Sequence, residues 1–112
     1  MGRLVSPLRG HGTGPANDAA DLIATRSPVS LCVTLEAIRR AAKLDTLEDV
    51  LRQEYRTSCA CSRSHEFVEG TRAVVIDKDR NPKWSPASLA AVTTADVEAY
   101  FAPADRELEF KI

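Results

Sequence analysis

A chain of 112 residues allows one domain at most, and the core it can build is only marginally stable by itself. With 44% hydrophobic and 28% charged residues and a formal net charge of -1, the composition is globular and lacks the basic excess of a nucleic-acid groove. No run of about 18 apolar residues offers a membrane span, and no apolar stretch near Met1 has the form of a secretory signal.

From the start, Gly2, Pro7, Gly10, Gly12, Gly14 and Pro15 interrupt the pattern, so residues 1–16 read as a disordered tail. Arg3 and Arg9 precede the first acid, Asp18, as in a mitochondrial transit peptide. The glycines and prolines oppose the amphipathic helix such a peptide needs, so a cytoplasmic chain is the preferred reading and a mitochondrial one the alternative. Residues 17–112 then form the folded region. Asn17 or Asp18 caps a short helix to about Arg26, with Leu22 and Ile23 as its apolar contacts.

Ser27-Pro28 is a stronger start signal: a hydroxyl to cap, then a proline where no donor is needed. Leu31, Leu35, Ile38 and Ala42 follow at helical spacing. Thr46 opens the next helix, with Leu47, Val50, Leu51, Tyr55 and Ser58 on one face and Glu48, Arg52, Gln53 and Arg56 on the wet one. Ser64 caps a helix over roughly His65–Ile76 that carries Phe67, Val68, Val74 and Val75. Gly70 inside it costs about 1 kcal/mol relative to alanine, which points to close approach of another backbone. Asn81-Pro82 breaks the pattern and Lys83-Trp84-Ser85-Pro86 is extended. Thr93 or Thr94 caps a last short helix with Val97, Tyr100 and Phe101, closed by Pro103. Leu108, Phe110 and Ile112 alternate with charges, as a short strand or a docked extension. The expected fold is all-α: about four clustered helices behind the tail.

Chemistry-bearing residues are few. Cys32, Cys59 and Cys61 are an odd number without framework spacing, which suits reduced thiols. Cys59 and Cys61, two apart on a helix, point about 200° away from each other, and with His65 they are too few for a metal site, so no metal is assigned. His65, Glu66 and Glu69 do not make the H-E-x-x-H zinc pattern, and Ser58 has no base near it in sequence. Trp84 has the make-up of an adenine stacker, but beside proline it reads better as an anchor packed on helices.

One segment is specific. Residues His65 to Trp84 (HEFVEGTRAVVIDKDRNPKW) resemble the HDFxEGVRAxLIDKDxxPxW signature of 3-hydroxyisobutyryl-CoA hydrolases, members of the crotonase (enoyl-CoA hydratase/isomerase) superfamily. Ser27-Pro28-Val29-Ser30-Leu31 is similar to the family's SPTSL, Glu54-Tyr55-Arg56 to its EYR, and Val92-Thr93 and Tyr100 to Pro103 continue the match. The resemblance implies the C-terminal helical region of a crotonase fold, whose ββα core supplies the oxyanion donors and catalytic acids. No catalytic residue and no cofactor is therefore assigned here, and the isolated chain is expected to be inactive, because acyl transfer needs preorganised donors and a positioned base. It further implies that these helices complete a CoA pocket, with Lys78 near the CoA phosphates; the plainer reading of Lys78 is a solvated side chain between Asp77 and Asp79. The expected function is CoA-thioester hydrolysis in valine breakdown. Hydratase or isomerase chemistry and a non-catalytic helical interaction module are the alternatives. The expected partners are a crotonase core polypeptide, or a second copy through self-association, and a CoA thioester once the core is present.

Overall fold

The computed structural model of the protein describes residues 2–110, and every regular element in them is helical. In chain order these are α1 (Gly2–Gly10), α2 (Gly14–Ala24), α3 (Pro28–Ala41), α4 (Leu47–Ser62) and α5 (His65–Thr71), which continues into a π-turn (Arg72–Ile76). A 3-10 turn (Leu89–Ala91), α6 (Thr94–Glu98) and a second 3-10 turn (Ala99–Phe101) follow. The all-α expectation holds. No helix among the described residues is long and apolar enough to cross a membrane.

The first residues depart from the expected tail: Gly2–Gly10 are helical, and α2 already begins at Gly14. The glycines punctuate the helices instead of breaking them. Gly10 ends α1, Gly12 turns the chain at φ 77, and Gly14 opens α2. Pro15 lies in the first turn of α2, where a missing N–H costs nothing. Thr13 is the cap, accepting from the Ala16 N–H at 3.3 Å, so Asn17 and Asp18 fall inside the helix. α1 packs on α2, with Arg9 reaching Asp21 at 2.9 Å.

Ser27 caps α3 as expected, accepting from the Ser30 N–H. The stripe that α3 buries is not the expected one. Val29 and Val33 join Phe101 as the core, with Ala37, Val92, Val97 and Tyr100 packed around them, while Ile38 is 65% exposed. Positions 29, 33 and 37 are also at helical spacing, and their smaller side chains let α6 and the turn after it come close to α3. Arg40 closes this cluster. Its guanidinium lies 4.0 Å from the Phe101 ring centroid and pairs with Glu36 and Glu98, which hold it firmly protonated.

Thr46 caps α4 through the Asp49 N–H. This helix is rotated from the expected orientation. Gln53, expected in solvent, donates to the Ala37 carbonyl at 3.0 Å, and Arg56 pairs with Glu107 at 2.9 Å. Arg52 pairs with Asp49 at 2.9 Å. Leu47 and Leu51 turn outward, 69% and 40% exposed. Residues after Ala102 form no strand among those described. The Arg56–Glu107 pair and the Phe110 ring, 5.1 Å from the Arg52 guanidinium, hold them as a docked extension on α4; Ile112 lies outside the described residues.

The packed part is small for the chain. The radius of gyration is 15.9 Å, against about 13 Å for a compact domain of this length. The accessible surface is 7812 Å², against about 6,100 Å² for a folded monomer of this mass.

Candidate functional site

The charged and exposed features gather around α5, its π-turn and the loop to Trp84. Ser64 caps α5 through the Phe67 N–H at 3.2 Å. This orients two acids inward. Glu66 is buried; its Oε1 accepts from the Ser85 N–H at 2.8 Å, and its Oε2 has no partner among the described residues. Glu69 grips Arg72 with both oxygens, each at 2.8 Å, and its Oε2 also accepts from the Lys83 N–H at 2.6 Å. The guanidinium beside it, and then the amide, hold the Glu69 carboxyl down at about 2. A carboxylate that acidic and that committed is no general base, so Glu69 leaves the acid–base set; His65 and Glu66 still meet, Nδ1 to Oε1 at 3.4 Å, with the Glu66 Oε1 also taken by the Ser85 amide.

Arg72 is the hub. Besides Glu69 it binds Asp77 at 2.8 Å and Asp79 at 2.7 Å, and it reaches the Asn81 carbonyl at 3.4 Å. These acids hold its guanidinium well above the usual arginine range, and Arg72 in turn lowers the Asp79 carboxyl. The backbone follows the charges. The Asp77 N–H donates to the Arg72 carbonyl at 2.8 Å, five residues back, which makes the π-turn. Arg80 N–H donates to the Ala73 carbonyl and Asn81 N–H to Asp79 Oδ1, both at 2.9 Å. Between these ties, Lys78 and Arg80 sit at φ 57 and φ 53, a region that non-glycine residues rarely adopt. Both side chains are exposed and form no ion pair among the described residues. The acids flanking Lys78 are therefore spent on Arg72, not on the lysine.

Trp84 anchors the far end of the loop. Its indole N–H donates to the Thr25 carbonyl at 3.2 Å, and its ring lies against Gly70, where an added Cβ would meet Cη2 at 3.3 Å. The glycine answers to an aromatic ring, not to the backbone expected. On the outer side of α5 and the π-turn, Phe67, Val68, Val74, Val75 and Ile76 are each more than half exposed. The three cysteines are free thiols, and no three metal-ligating side chains gather among the described residues. Arg72 was not singled out from sequence. Only its i−3 spacing from Glu69 is visible there, because the other partners meet it through a chain reversal.

Residues 3–101 match the family model described as enoyl-CoA hydratase/isomerase. The chain belongs to that family. The match takes in nearly all of α1. The chain is 43% identical over 103 residues to "3-hydroxyisobutyryl-CoA hydrolase, mitochondrial" of Gallus gallus, covering 92% of this chain and 26% of the relative. It is 43% identical over 98 residues to the Homo sapiens protein of that name, covering 88% and 25%. The chain spans about a quarter of the length of these curated relatives. Two solved family structures superpose well. A carnitinyl-CoA dehydratase from Mycobacterium thermoresistibile is 63% identical with a TM-score of 0.87, covering 96% of this chain and 30% of that one. An enoyl-CoA hydratase from Rhodobacter sphaeroides is 32% identical with a TM-score of 0.84, covering 95% and 32%. This member of the enoyl-CoA hydratase/isomerase family thus corresponds to the C-terminal helical part of a crotonase fold.

Proposed function

We propose that this chain is the helical, CoA-facing part of a hydrolase that cleaves 3-hydroxyisobutyryl-CoA, active only together with a crotonase core. The observation that carries the reading is the agreement with vertebrate hydrolases over 92% of the chain in the chicken case. It is supported by the exposed apolar face of α5 and the π-turn, which a core would cover, and by Lys78, an unpaired cation on a braced loop suited to a phosphate. Lys78 is assigned to the CoA phosphates. Of the two compartments weighed, the vertebrate relatives' names support the mitochondrial one.

The test is release of free CoA from 3-hydroxyisobutyryl-CoA by the purified chain, with and without a core polypeptide. The chain by itself should give none, since loss of even one oxyanion donor costs about 10²- to 10³-fold. Robust turnover by the chain without a core defeats the proposal. A second reading, dehydratase or hydratase chemistry, is favoured by the 63% identity to the carnitinyl-CoA dehydratase. It predicts water loss or addition at an acyl chain, with the thioester intact, in the same reconstituted mixture.

A further inference from the structure

Between the end of α3 and the first turns of α4 lies a cavity of about 190 Å³, with Leu44 and Phe101 in its wall. Asp49, Arg52, Gln53 and Arg56 line it at a spacing that a helix gathers on one face. Arg40 enters from the last turn of α3, so three guanidinium groups and one carboxylate share the space. Like charges so gathered repel unless something holds them. Most of the holders are carboxylates that line other cavities. Glu36 and Glu98 take Nε and Nη2 of Arg40 and line a separate cavity between α3 and α6. Glu107 takes the Nε edge of Arg56 and lines another beside Tyr55. Asp49 takes Nη1 of Arg52. Two rings complete the hold: the Arg40 guanidinium lies over Phe101 and that of Arg52 over Phe110.

What is left over is specific. The Nε and Nη2 edge of Arg52, and Nη1 of both Arg40 and Arg56, have no partner among the described residues. The free edge of Arg52 is the side-on fork that accepts a carboxylate with two parallel bonds. Arg52 and Arg56 stand about 6 Å apart along the helix axis. Cations spread over that span suit two carboxylates on a short carbon link better than one compact phosphate, and the Leu44 and Phe101 walls suit the link. We propose that this cavity binds a small dicarboxylate, one carboxylate on the Arg52 fork and the other between Arg40 and Arg56. None of these residues lies on α5 or the loop to Trp84, so the site is independent of the CoA reading.

The experiment titrates the full chain with succinate, and with acetate, orthophosphate and CoA for comparison. NMR follows the Arg52 Nε–H and the Gln53 side-chain amide and gives the dissociation constant. Succinate should saturate and bind about tenfold tighter than acetate. Arg52→Gln should weaken succinate about tenfold. Its urea midpoint should hold, because the Arg52–Asp49 pair is largely exposed. Asp49→Asn removes the carboxylate from the wall and should tighten succinate, a gain that a purely structural ion pair does not give. Should Arg52→Gln lose its fold, that gain decides. Non-saturating shifts alike for acetate and succinate overturn the site, as does succinate binding unchanged in both variants. Orthophosphate binding tighter than succinate overturns the dicarboxylate assignment. Displacement of succinate by CoA makes the cavity part of a CoA site and overturns the proposal too.

Discussion

The α3–α6 cluster and the α5 loop region are built by different physics in one short chain. Around Val29, Val33 and Phe101, stability comes from apolar burial, and the charges of Arg40, Glu36 and Glu98 sit at the rim. Around Arg72 a charge network partly open to solvent holds the loop, and Phe67, Val68, Val74, Val75 and Ile76 also face outward. A free-standing domain would bury those side chains, each worth about 1.5–3 kcal/mol when covered. Apolar burial thus holds the first region together, and a network of ion pairs the second.

The largest expected effect lies in the first region. Phe101→Ala removes the ring that Val29, Val33 and the Arg40 guanidinium share, and should cost about 3–5 kcal/mol, enough to unfold a chain of this size. Urea denaturation followed by helical circular dichroism checks it. A loss below about 1 kcal/mol would mean that the cluster is not the source of stability.

Gly70→Val tests how the second region is tied to the end of α2. Its side chain enters the space of the Trp84 ring, and overpacking of that kind costs about 1–3 kcal/mol. Trp84 fluorescence should change, because the indole bond to Thr25 ties the loop to the end of α2. Unchanged fluorescence and stability would show that the ring moves aside freely.

Acid should loosen the second region selectively. The Glu69 carboxyl stands at about 2 when folded, against an ordinary 4.5. A carboxyl more acidic in the folded state contributes fully above pH 4.5 and loses that contribution as pH falls toward 2. Asp79 is shifted in the same direction by the same guanidinium. Amide protection at Asn81 and Lys83 should drop through this window ahead of that at Val33. Simultaneous loss at all three would mean that the clamp and the core unfold as one unit.

Much of the fold was legible because caps are local. Ser27, Thr46, Ser64 and Thr93 each need only a hydroxyl and the amide three residues on, and each caps as its position suggested. Facing was not legible. α3 carries two stripes at helical spacing, and periodicity does not say whether Leu31, Leu35 and Ile38 or Val29, Val33 and Ala37 turn inward; the approach of α6 decides it. The glycines of the first 14 residues misled for a related reason: their count suggested a tail, whereas their places, at the ends of α1 and α2, make them turns. In the site, Glu69 and Arg72 are neighbours on one helix and readable as such, but Asp77 reaches Arg72 because the wider π-turn brings position 77 beneath it, and Asp79 because the chain bends at Lys78 and Arg80, both at positive φ.

The smallest expected effect on stability belongs to Phe67→Asp, and it bears most directly on the comparison. Phe67 is 54% exposed on the outer face of α5, so the substitution removes little buried surface and should change stability by less than about 0.5 kcal/mol. It also places a carboxylate in the first turn of a helix capped by Ser64, where negative charge is welcome. Its effect should appear elsewhere. If the apolar face of α5 and the π-turn docks on a crotonase core or on a second copy, a charge at its centre becomes buried and unpaired on binding, which costs far more than the folded monomer feels. Sedimentation of the chain by itself, and pull-down with a core polypeptide, should then show association in the unaltered chain and its loss in Phe67→Asp at equal thermal stability. A chain that is monomeric and indifferent to a core with either residue at position 67 would instead mark the outer face as spare surface on an autonomous helical module.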